Sequence, residues 1–166
     1  MARSILEILA TIPLILGGHE LGHFKSGREA GLSMRMQNGL AHSPAIIKDN
    51  PNEFAKMFGG GFEGQDLAVS LGNEFGKDKK SSRAISGLNK IGYALMPKGI
   101  NGEGGDVYNM RQVKGKKAEK VMQAALLISG ISDMLKAFDK GLGPNKDLSF
   151  MTFDNGTPGL KFSGKF

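Results

Sequence analysis

The residues most able to do chemistry lie near the start of the chain, in the run His19-Glu20-Leu21-Gly22-His23. In a helix, residues four apart share one face, a single turn from each other. His19 and His23 would then offer two imidazole nitrogens to one ion at about 2.0–2.1 Å without bending the backbone. Glu20 stands beside them, placed to take a proton from a water that zinc has acidified to a pKa of about 7. This His-Glu-x-x-His spacing is among the more specific short motifs, and it points to metal-assisted hydrolysis of peptide bonds. The bland alternative is a pair of helical histidines in a core or on a surface. Against it, the chain has three histidines in all, and two fall here with a glutamate in the required slot. Gly22 adds room beside them for substrate or for a packed helix.

A catalytic zinc needs a third protein ligand and an open position. The chain has no cysteine, so that ligand must be His, Asp or Glu. Read as a helix, Glu63 falls in line with Leu67, Leu71 and Phe75, a stripe whose apolarity predicts a core-facing side. An inward carboxylate needs a partner, and zinc, a lysine or an arginine would serve. Asp66 falls on the opposite side, with Ser70, Asn73 and Lys77, and is predicted to face solvent. Asp133 lines up with Met122, Leu126 and Ser129, where Lys136 and Lys140 could also pair with it. Asp106, in Gly104-Gly105-Asp106, is a third candidate on a glycine-rich loop, and His42, in a Ser-Pro loop, a fourth. On the residues alone Glu63 is preferred, with Glu20 as the general base and Zn2+ as the cofactor.

These residues need helices to hold them. A first helix is expected from about Ser4 to Ala30, with Ser4 as N-cap, Gly31 as its stop and bends at Pro13 and Gly17-Gly18. A loop with Ser43-Pro44 and Asn50-Pro51 follows, then a short helix capped by Asn50 or Asn52 and running through Phe58. Gly59-Gly60-Gly61 predicts a flexible break before a helix over about 62–75. An apolar helix near Ala84–Leu95 ends at Pro97, and 98–106 reads as loop. The strongest helical pattern runs over about 116–140, with Gly141 as C-cap and Val121, Ala124, Ile128, Ile131 and Leu135 as its dominant apolar stripe. Beyond Pro144 the period changes to alternation around Asp154-Asn155-Gly156, a β-hairpin signature. The expectation is a mainly α, small helical domain over 1–166, with the motif on its N-terminal helix and a C-terminal β-hairpin over 145–166.

The segment His19-Glu20-Leu21-Gly22-His23-Phe24, with Gly31 eight residues past His23, resembles the site-2 protease family of zinc metallopeptidases. That family also carries its motif near the N-terminus in an apolar helix, whereas soluble zincins place a β-sheet before theirs. The resemblance covers about the first 35 residues and implies a zinc-dependent peptidase. It also implies a third ligand from an Asp in a Leu-Asp-Gly run on a later apolar helix. No Leu-Asp-Gly occurs here, and Asp133, in Ile131-Ser132-Asp133-Met134, is the nearest stand-in, so the resemblance implies Asp133 as a preferred ligand beside Glu63.

Bulk properties narrow the setting. The 166 residues are enough for one domain with a real core, and 40% are hydrophobic, which is low for a chain made mostly of membrane spans. The apolar stretch Ile5–Leu16 is too short to span a bilayer and lacks a small-residue cleavage site, so a buried core helix in a soluble protein is favoured over membrane association. The net charge of +6 comes from lysine groups without interleaved aromatics, which reads as solvated loops and predicts no specific nucleic acid. The partner classes that remain are a peptide or protein substrate and a membrane surface. The competing function is a non-catalytic, metal-stabilised structural or assembly protein.

Overall fold

The computed structural model describes residues 2–74, 79–98, 105–138 and 146–164. Four helices follow one another: α1 (Ala2–Glu29), α2 (Pro51–Glu74), α3 (Lys79–Leu95) and α4 (Asp106–Ala137). A small hairpin of β1 (Arg35–Gln37) and β2 (Leu40–His42) joins α1 to α2, and β3 (Lys146–Thr152) pairs with β4 (Pro158–Gly164) after α4. The protein is thus mainly helical with a C-terminal β-hairpin. Among the described residues no helix is long and apolar enough to cross a membrane.

α1 ends where the sequence places its stop. Gly31 adopts a left-handed φ of 93°, Gly31 N–H donates to the Arg28 carbonyl, and Leu32 N–H donates to that of Gly27. That pair of bonds satisfies carbonyls which would otherwise be orphaned at the helix end. Its start differs: the helix already includes Ala2, so Ser4 lies inside it and is not the N-cap.

The predicted break at Gly59-Gly60-Gly61 does not exist; α2 runs through it without interruption. Each glycine in a helix interior costs about 1 kcal/mol relative to alanine, so packing must compensate. A side chain on Gly22 would overlap the Gly60 carbonyl, one on Gly64 that of Gly18, and one on Gly18 the Ala68 side chain. The two backbones therefore touch along Gly18-x-x-x-Gly22 and Gly60-x-x-x-Gly64, an approach that only side-chain-free residues permit. Glycines that look like a hinge in sequence are a helix–helix contact in the fold.

The apolar core joins Phe54, Phe58 and Phe62 of α2 to Val107, Met110, Met122 and Leu126 of α4, with Ala94 of α3 and Phe150 of β3. Phe150 sits opposite Leu160 in the C-terminal hairpin, whose turn carries Asp154-Asn155-Gly156 as predicted. α4 is longer than expected and kinks at Gly115 (φ 83°), so its first turns form a separate segment pointing Asp106 inward. The predicted cap Gly141 lies outside the described residues.

Two predicted faces are reversed. Leu67 and Leu71, expected to face the core, are exposed, as are Val121, Ile128, Ile131 and Leu135 of the dominant α4 stripe. Beneath them lies a polar interior. Lys90 of α3 is fully buried and ion-paired with Asp66 of α2 and with Asp133 of α4, the latter at 2.7 Å. Ser86 Oγ donates to Asp133 Oδ2 at 3.2 Å, and Gln65 Nε2 donates to the Ser86 hydroxyl at 2.8 Å. Asp66, predicted to face solvent, is part of this clamp between three helices. Burial and the neighbouring Asp133 push the Asp66 carboxyl up to about 6, with Lys90 only partly opposing. Burial draws the Lys90 ammonium down, but the two carboxylates outweigh it and hold it above its usual range.

Candidate metal centre

The glycine contact between α1 and α2 decides where the histidines go. With the backbones touching, the His19 and His23 rings lie over Gly61, where a Cβ would come within 2.6 Å of His23 Nε2 and 2.8 Å of His19 Cε1. Both imidazoles are buried, at 3% and 6% exposure. Phe62 and Tyr93 flank His19, with ring centroids 4.8 Å and 5.6 Å away.

The carboxylate that joins them is Asp106, the first residue of α4. Its Oδ2 is 3.0 Å from His19 Nε2 and 3.3 Å from His23 Nε2, and the two Nε2 atoms are 3.1 Å apart. Donors about 2.0–2.1 Å from a tetrahedral ion stand about 3.3–3.4 Å apart, so the three edges are close to those of a coordination face. His23 Nδ1 lies 2.7 Å from the Met57 carbonyl. It must donate there, which leaves the Nε2 lone pair aimed at the cluster, the usual way a second partner orients a ligating imidazole.

Lone pairs and a carboxylate converging at this range repel unless something positive sits between them. Burial lowers the His23 imidazolium, but the charge and hydrogen bond of Asp106, the Met57 carbonyl and the charge of Glu20 outweigh it and push it up to about 9. Burial raises the Asp106 carboxyl, yet His23 and His19 together hold it well below the usual carboxylate range. Among the described residues this is the one group of three whose ligand atoms lie within 4.8 Å of one another. The donor set fits a divalent ion that accepts nitrogen and oxygen, zinc above all.

Glu63 and Asp133, the two carboxylates preferred from sequence, are not brought to the histidines. Glu63 Oε1 accepts from the Thr152 amide at 2.5 Å, tying α2 to β3. Asp133 is held by Lys90 and Ser86 in the polar clamp. His42 is exposed at the end of β2. Asp106 outcompetes them because the kink at Gly115 turns its short helical segment toward α1, a tertiary effect that helical periodicity does not encode.

Glu20 is beside the cluster, but its Oε2 accepts a hydrogen bond from the Ala41 amide of β2 at 2.9 Å. Tyr93 of α3 is a site residue that sequence reasoning missed, since a lone tyrosine on an apolar helix carries no signal. Burial, then the charges of Asp106 and Glu20, push its phenol above its usual range. It therefore remains a hydrogen-bond donor in reach of both carboxylates' fields. Gly105 makes room for it, as a Cβ there would lie 3.1 Å from Tyr93 Cε1. Compared with protein-family models, with curated proteins and with solved structures, the chain matches none.

Proposed function

We propose that this protein is a zinc-dependent metallopeptidase, with His19, His23 and Asp106 as the metal ligands and Glu20 as the general base. The observation that carries the reading is the convergence of His19 Nε2, His23 Nε2 and Asp106 Oδ2 on one point, beside the glutamate of the same motif. When bound, the ion supplies Lewis-acid activation of water and of the scissile carbonyl. Glu20 receives the proton from the attacking water at a carboxylate oxygen and returns it to the leaving amine. The Tyr93 hydroxyl, protonated throughout, donates a hydrogen bond to the oxygen that gains charge as the carbonyl is attacked. Phe62 and the Tyr93 ring keep bulk water from the buried imidazoles.

Hydrolysis of an unstructured protein such as casein, before and after Glu20→Gln, tests this directly. Turnover should vanish in the variant while zinc stays bound at one per chain; full activity in Glu20→Gln would exclude the mechanism. Tyr93→Phe should lower kcat by on the order of a hundredfold, the loss typical of one oxyanion donor, with zinc and KM unchanged.

The depth of the histidines supports a second reading, a structural metal that staples α1 to α4 in a protein without catalysis. Coordination separates the two. A structural site closes with four protein ligands, whereas a catalytic one keeps a position open, which absorption spectroscopy of the cobalt-substituted protein reports through its response to added azide.

A further inference from the structure

Between residues 121 and 138 of the chain, the exposed positions are Val121, Ala124, Ile128, Ile131, Leu135 and Phe138, and no others. None has a polar side-chain atom. The five larger ones are 38–64% exposed. Their spacing is three, four, three, four, three, which is the a/d pattern of a coiled-coil seam sustained over five turns. On an ordinary surface helix the exposed face is the polar one. Here Ser129, Ser132 and Asp133 are turned inward to the Lys90 clamp or its surroundings, and Gln123 donates to the Ala94 carbonyl of α3.

We infer that this seam is a homodimer interface, in which α4 of one copy packs antiparallel against α4 of a second. The chain itself supplies the complement. Under a two-fold axis, Val121 meets Phe138 of the other copy, Ala124 meets Leu135, and Ile128 meets Ile131, so each layer pairs a smaller side chain with a larger one or two equals. A parallel pair would instead stack Ala124 on Ala124 and Phe138 on Phe138, leaving a gap at one end and crowding at the other. It would also set the exposed Lys116, Lys117 and Lys120 of the two copies side by side, which the antiparallel arrangement avoids. Such a contact is isologous and closes on itself. The twelve side chains, six from each copy, offer together on the order of 1,000 Å² of apolar surface, the size at which specific interfaces begin. A bilayer is the other apolar environment that could cover the face, but it imposes no heptad register and no match of large to small.

Sedimentation equilibrium of the metal-loaded protein without detergent, at micromolar concentration, should give twice the 17.7 kDa chain mass. Ile128→Glu with Ile131→Glu should give the single-chain mass, with unchanged helical circular dichroism and zinc content. The chain lacks cysteine, so introduced thiols report orientation cleanly. Ala124→Cys mixed with Leu135→Cys should crosslink with a short bis-maleimide, while Ala124→Cys alone should not, because its two copies would stand about 16 Å apart along the axis. A wild type that stays monomeric, including one that floats with lipid vesicles instead, would overturn the inference. So would a double-Glu variant that remains dimeric or loses its fold, or an Ala124→Cys protein that crosslinks to itself. None of these outcomes bears on whether the histidine site cleaves peptides.

Discussion

The Ala41 amide donates to Glu20 Oε2 at 2.9 Å, tying the carboxylate of the His-Glu-x-x-His run to the small hairpin that follows its helix. The register explains why that amide is free. Gln37 and Leu40 flank the Asn38-Gly39 turn, whose two positive φ angles suit a two-residue hairpin, so Ala41 is the next pair out, opposite Met36. In a tight antiparallel hairpin that pair does not exchange ladder bonds, and the Ala41 N–H points away from β1 toward α1. Ala41→Pro removes this donor at an edge where proline is tolerated. We expect kcat to fall by about tenfold, a fraction of what a general base contributes, with zinc content unchanged. Equal kcat in the two proteins would show that the anchor has no part in placing Glu20.

Metal content should follow geometry rather than helical periodicity. Asp106→Asn removes the carboxylate 3.0 Å from His19 and should leave the protein substoichiometric in zinc by elemental analysis. Glu63→Gln should keep one zinc per chain, because that residue serves the Thr152 amide of β3. Retained zinc in Asp106→Asn would show that another group completes the site.

Gly61 and Gly92 make a matched pair of substitutions. A methyl at Gly61 would press on both imidazoles, whereas Gly92 faces open space. Gly92→Ala in α3 should stabilise the protein by about 0.5–1 kcal/mol through helix propensity alone. Gly61→Ala should instead weaken zinc binding, read by competition with a chromogenic chelator. Unchanged affinity in Gly61→Ala would mean the rings can shift without losing their convergence.

The polar clamp gives a pH dependence whose sign is unusual for an aspartate. The Asp66 carboxyl is raised from 3.8 to about 6 on folding, so between those values the folded chain holds the proton that the unfolded chain has lost. Its contribution to stability is therefore greatest near pH 4 and declines as pH rises through about 6. Urea unfolding should show wild type gaining on Asp66→Asn as pH falls from 7 to 4, and a constant gap would contradict the assignment. Lys90→Met leaves Asp66 and Asp133 buried without a cation, a loss of about 3–5 kcal/mol by the behaviour of broken buried pairs.

Local patterns carried far into this protein, because some physical constraints act over a single turn. The i, i+4 spacing of His19 and His23 was enough to put two imidazoles on one face of α1, where their Nε2 atoms stand 3.1 Å apart. Gly31 marked the end of α1, and the change from helical to alternating period after Pro144 marked the final hairpin. With cysteine absent, the sequence also narrowed the candidates for a third group beside the histidines to Glu63, Asp133, Asp106 and His42.

Which faces meet is settled by contacts between helices, and those are not written into any single segment. Gly59-Gly60-Gly61 has the composition of a hinge, yet backbone contact with α1 keeps it helical, and nothing within α2 records that contact. α4 is apolar on several sides, so periodicity marks a stripe at Val121, Ile128 and Leu135 without saying whether the chain's own core covers it. The covering goes instead to Met122 and Leu126, because Lys90 pulls the Asp133 side of the helix inward. Asp106 joins histidines 87 and 83 positions away only because α4 kinks at Gly115 and α1 lies against α2. Ligand convergence is a sum of helix placements, and helix placements are set by contacts between segments far apart in the chain.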